Sequence, residues 1–170
     1  MDYSSWEMKF YEILDTIPID LASYHPFVIH FALALPLVAI LFQWVSLLSP
    51  TKGYQNAASM LFLMGAFFVI AAFLSGKASA PDVKPLLSIE GQNHFDTHKE
   101  LGTYIALFYA LLMVIKLISL LVKKDWLRYL TTLMMVMAVL GLLYQVKLGH
   151  ELVFQYGAGV ESYIGNQLQN

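Results

Sequence analysis

Four stretches of the chain are apolar almost without interruption, and each is bounded by residues that stop a helix. The first runs from Pro26 to Leu48, with a proline suited to a first helical turn and Ser49-Pro50 as its stop. The second covers about Ala57 to Ser75 and ends at Gly76; the third runs from His94 or His98 to Val122; the fourth from Trp126 to Gly149. Each is close to the ~20 residues that cross a ~30 Å hydrocarbon layer. The connections 49–56 and 123–126 are short, which makes consecutive spans antiparallel neighbours. The pattern predicts an all-α integral membrane protein, an up-down four-helix transmembrane bundle over residues 25–150.

Residues 1–24 read differently. Trp6, Phe10, Ile13, Leu14 and Ile17 recur at helical spacing between Glu7, Lys9, Glu12 and Asp15, which predicts an amphipathic helix on the membrane surface, ended by Pro18. Its early acids and broken apolar run are unlike a signal peptide. The segment 77–93 is polar with two prolines and predicts a long loop, and the extramembrane tail 151–170 carries Gly157 and Gly159, which favour a turn over a fifth span. Pro36 lies inside the first span, where a kink would open space beside His30.

Composition agrees with the pattern. Hydrophobic residues make up 58% of the chain and charged residues 13%, about half the charged share of a soluble domain. A net charge of −2 without a basic stripe gives no support for nucleic-acid binding. With no cysteine there is no disulfide, iron–sulfur cluster, thiolate zinc site or covalent c-type haem. Lys52, Lys123, Lys124 and Arg128 crowd the two short connections, and Lys116 is near enough to snorkel toward them. By the density of positive charge those connections face the cytoplasm, which predicts an inner-membrane protein with both termini outside.

All five histidines, His25, His30, His94, His98 and His150, then fall at the outer end. An imidazole at the mouth of an apolar helix is costly unless it meets a partner, cavity or cofactor. Five at one end and none at the other point to b-type haem. His94 and His98, one turn apart, share a helix face and cannot take both sides of one porphyrin; His25 and His30, about 140° apart, look in different directions. Axial ligands must come from facing helices, so His30 with His98 is the preferred iron pair, His25 with His150 a second pair if two haems bind, and His94 polar support. Bis-histidine ligation leaves no open iron position and suits electron transfer.

Other chemistry fits parts of the same end. The run HFDTH spaces His94 and His98 for zinc or copper, with Asp96, His30 or Glu151 as further ligands, although a His-Glu-x-x-His signature is absent. The aromatic residues there form an interfacial belt, and Tyr144, Gln145 and Lys147 are candidates to contact a quinone beside the haem. Lys77, Lys84, Lys99 and Lys147 could meet propionates, whereas Arg128 lies at the wrong end. A cofactor-free membrane anchor or assembly subunit remains a third class.

Two motifs carry a family resemblance. HPFVIHFALALP resembles the His-Pro-x-x-Val-His-Phe-Pro-Ile-Ala-Leu opening of the predicted-membrane-protein family catalogued as domain of unknown function 2231, and LGHELVFQYGAGV resembles its Gly-Gly-x-Leu-Val-Tyr-x-His-Gly-Val-Gly-Val close. FLSGKASA is loosely similar to the glycine-bearing end of its second helix. The resemblance covers about residues 25–160. It implies four membrane helices, a haem or redox association and cytochrome-like partners. His25 and His30 match the opening histidines, and His94 or His98 the one starting the third helix. At the close Tyr156 stands where the family has histidine, and His150 stands where glycine is common. Together these readings lead to the expectation of a haem b-binding electron-transfer subunit in the lipid bilayer. It would sit in a larger redox complex, between the quinone pool and an extracytoplasmic partner such as a c-type cytochrome.

Overall fold

The computed structural model describes residues 8–9, 12–13, 16, 21–49, 51–122 and 124–159. Most of the amphipathic helix expected over residues 1–24, and the tail beyond residue 159, lie outside them. Four helices follow: α1 (His25–Leu48), α2 (Lys52–Val83), α3 (Ile89–Val122) and α4 (Asp125–Phe154), with a 3₁₀ turn at Lys84–Leu86 between α2 and α3. All four are long and apolar enough to cross a membrane. Contacts join α1 to α2, α2 to α3, α3 to α4 and α4 back to α1, which closes an antiparallel ring. The chain is an all-α membrane bundle.

The segment 77–93 is not a loop. Helix α2 continues through it to Val83, and α3 begins at Ile89 rather than at His94 or His98. Polar side chains that leave the lipid can still stay helical, and Pro81 sits so close to the end of α2 that its missing amide affects only the last turn. Ser88 then caps α3, its hydroxyl accepting the amide of Gly91 at 3.2 Å while its carbonyl takes the amide of Gln92 at 2.8 Å. At the far end α4 runs to Phe154, past Gly149, and stops where Gly157 turns left-handed at φ 69°. The amide of Ala158 then reaches the carbonyl of Leu152.

Inside, small residues let the backbones approach, as lipid gives apolar side chains no reason to prefer each other over acyl chains. Ala32, Ala39, Ala58, Ala66, Ala106 and Ala138 are all buried, while Leu41, Leu107 and Leu133 are more than 60% exposed toward the membrane. Pro36 does not open a space beside His30: it is buried against Gly65 of α2, where a Cβ would come within 2.7 Å of the proline ring. Phe62 and Tyr109 stack with ring centroids 5.9 Å apart at the centre.

Toward the short connections a polar chain crosses the bundle. The Lys116 ammonium on α3 donates to Gln43 Oε1 on α1 at 3.3 Å, Gln43 Nε2 donates to Thr132 Oγ1 on α4 at 2.9 Å, and Thr132 donates to the carbonyl of Arg128 at 2.8 Å. Lys116 is 3% exposed, so it does not snorkel out. Gln43 offers it an acceptor inside the bundle.

Candidate site at the histidine end

Five side chains at this end divide by direction. His25, at the start of α1, lies against α2: its Nδ1 is 3.0 Å from Ser75 Oγ, and a Cβ on Gly76 would stand 2.9 Å from its Cε1. Ser75 gives its own proton to the carbonyl of Ala72, so its oxygen accepts from His25 Nδ1–H. The Nε2 of His25 is then the unprotonated nitrogen. His30 keeps the same tautomer by another route, its Nδ1–H donating to the carbonyl of Pro26 at 2.6 Å, but it is exposed on the outside of the bundle.

His98, on the inner face of α3, leans on α4. A Cβ on Gly149 would come within 3.2 Å of its Cε1. Gln145 Nε2 donates to the His98 carbonyl at 2.9 Å and stands 3.2 Å from His98 Nε2. The carbonyl can only accept, which fixes the amide with its nitrogen toward His98, so His98 Nε2 must accept too and its proton sits on Nδ1. That Nδ1, like Gln145 Oε1, is buried without a hydrogen-bond partner among the described residues. His25 near the start of α1 and His98 in the first turns of α3 stand at the same end of the bundle.

The other two histidines turn elsewhere. His94 Nε2 stands 3.2 Å from Glu151 Oε2, and its ring lies 5.3 Å from Tyr156. His150 is exposed and stacks on Phe154 at 4.4 Å. Described contacts thus join neither His30 to His98 nor His25 to His150. The expected zinc or copper group is also spread out: Asp96 pairs with Lys84, and no three His, Asp or Glu side chains among the described residues converge on one point. Of the candidate quinone contacts, Tyr144 faces outward, Lys147 pairs with Glu151 at 3.6 Å, and only Gln145 turns inward.

Tyr156 closes the end of the bundle. It packs on Gly91, where a Cβ would meet its side chain at 3.2 Å, and its hydroxyl donates to Glu90 at 3.4 Å. Lost solvation, then the carboxylates of Glu90 and Glu151, hold its phenol above the usual range. It therefore fills, as a neutral donor to Glu90 with its ring beside His94, the place where the resemblance has histidine. Ser75 carries no motif of its own; the only sequence sign of it is a hydroxyl beside Gly76 at the end of an apolar run.

The sequence profile of a family described as "Predicted membrane protein (DUF2231)" matches residues 22–162. No curated protein matches the chain. Nor does any solved structure.

Proposed function

Because the chain belongs to the DUF2231 family of predicted membrane proteins, whose shared part here includes every histidine, we propose that it is a haem b-binding membrane electron-transfer subunit. The observation that carries this reading is the shared tautomer of His25 and His98. From facing helices, both keep the proton on Nδ1 and leave Nε2 as the lone-pair nitrogen. His25 is oriented as ligating histidines are, its second nitrogen donating to a hydroxyl, whereas His98 Nδ1 has no partner among the described residues.

In this reading one haem would be held from α1 and α3. His25 and His98 would hold the iron, Ser75 orients the first ring, and Gly76 and Gly149 leave both rings room beside the helices. His25 replaces His30 as the partner of His98 in this reading, as His30 is turned outward. Two donors suffice for haem, whereas a bare zinc or copper ion needs three or four. A haem held by two histidines would supply one-electron transfer. Around it, the chain excludes water with the packed ring of helices and sets the histidine end at the membrane edge.

The positive charges of Lys52, Lys124 and Arg128 at the short connections support an outward-facing histidine end in the inner membrane. Electrons would then pass between the quinone pool and an extracytoplasmic partner, such as a c-type cytochrome. The test is a reduced-minus-oxidised spectrum of the purified protein with pyridine haemochrome quantification. A b-type signal of one haem per chain is expected, lost in both His25→Ala and His98→Ala and kept in His30→Ala. A colourless protein from haem-replete cells, or full haem content in the first two variants, would overturn the reading and leave a cofactor-free anchor.

A further inference from the structure

We propose that Gln145 is a placeholder for the iron on His98, so that the site is kept closed until its amide is displaced. The inference rests on the haem reading of the same site. Its starting point is that Gln145 makes two bonds to one residue, the His98 carbonyl at 2.9 Å and the ring Nε2 at 3.2 Å. The second bond covers the lone pair that would bind iron. The first fixes which end of the amide faces the ring, so the contact is a donor on an acceptor and holds His98 in the tautomer an iron needs.

The slot is shaped for this side chain. A Cβ on Gly102 would come within 2.9 Å of Gln145 Nε2, and a Cβ on Gly149 within 3.2 Å of His98 Cε1. Two positions without side chains thus let Gln145 lie along α3 and let the ring reach it. The arrangement is not saturated, however. Gln145 Oε1 and His98 Nδ1 are both buried without partners, and buried polar atoms in native proteins rarely stay so. Releasing the amide therefore gives up its two bonds to His98, in a slot that already carries two unsatisfied atoms. Gln145 is a positioning residue: it keeps Nε2 unprotonated and shielded from other ligands, and it must turn away for the iron to bind.

The test uses the full chain in lipid nanodiscs with two variants, Gln145→Met, which keeps the volume and loses the amide, and Gln145→Asn, which keeps the amide one methylene short. Imidazole ¹⁵N spectra of the haem-free protein should show His98 as a single tautomer with a hydrogen-bonded Nε2, and in both variants that signature should be lost. Haemin titration should then give about five- to tenfold tighter binding in the variants, the equivalent of one hydrogen bond no longer displaced. The bound spectrum should stay bis-histidine. An unchanged His98 resonance, or equal or weaker haem affinity in the variants, would overturn the role of Gln145. No haem binding in any form would instead sink the reading of the site, and the inference with it.

Discussion

His25 and Ser75 are joined by one directional bond, Nδ1–H to Oγ at 3.0 Å, because Ser75 spends its own proton on the carbonyl of Ala72. A hydroxyl buried near the end of a membrane helix thereby fixes the ring on its neighbour. Replacing Ser75 by Ala removes the orienting acceptor while leaving the ring. Haem affinity should fall by about 10- to 100-fold, the usual scale for losing the outer partner of a ligating histidine. Haemin titration reads this directly; an unchanged affinity would mean that packing on Gly76 alone orients His25.

Gly76 itself gives a steric counterpart. A methyl group there would meet His25 Cε1 at 2.9 Å, closer than side-chain carbons approach. Gly76→Ala should push the ring aside and alter the ligand set without unfolding the helices, giving a high-spin or reduced haem signal with unchanged far-ultraviolet circular dichroism. A wild-type spectrum in this variant would show that the ring has freedom to yield.

Gly65 of α2 packs directly on Pro36 of α1. Since a Cβ on Gly65 would stand 2.7 Å from the proline Cδ, Gly65→Ala should separate the pair and cost about 1–3 kcal/mol. Unfolding of the purified protein in mixed detergent micelles measures the loss. Stability equal to wild type would mean that Pro36 moves out of the way at no cost.

Gln43 is the only hydrogen-bond acceptor given to the buried Lys116 ammonium among the described residues. Gln43→Leu should destabilise by about 1.5–3 kcal/mol, the range for a hydrogen bond to a charged group. Lys116→Met alone should also destabilise, by leaving Gln43 Oε1 bare. The double variant should cost less than the sum of the two, and strict additivity in that cycle would show that the two side chains do not act together.

Much of the architecture was legible because lipid writes it in long apolar runs: Pro26, Ser49-Pro50 and the pair of lysines before Asp125 punctuate the sequence at the places where the helices start and stop. The run 77–93 was misread for a physical reason. Polarity there marks the exit from the membrane, not the end of the helix, and Pro81 and Pro85 fall where a helix tolerates them. The angle between His25 and His30 was readable, and one does turn inward and the other outward. Which one turns inward was not, because a membrane helix is apolar on both its packed and its lipid-facing sides and leaves no moment to set its phase. The meeting of Ser75 with His25 and the inward turn of Lys116 depend on partners brought by other helices, which no local pattern records.

The hydrogen-bond chain from Lys116 through Gln43 to Thr132 stitches three helices together near one end only. About 27 Å of helix, from the rise over 18 residues, separates Gln43 from His25. The two ends of the bundle are therefore tied differently: toward the short connections one chain spans three helices, whereas at the histidine end the bonds join the helices in pairs, α1 to α2 through His25 and Ser75 and α3 to α4 through His98 and Gln145. A few degrees of swing between those two pairs about the three-helix tie would part their far ends by one to two ångströms, a displacement that the contact of Gln43 with Lys116 opposes.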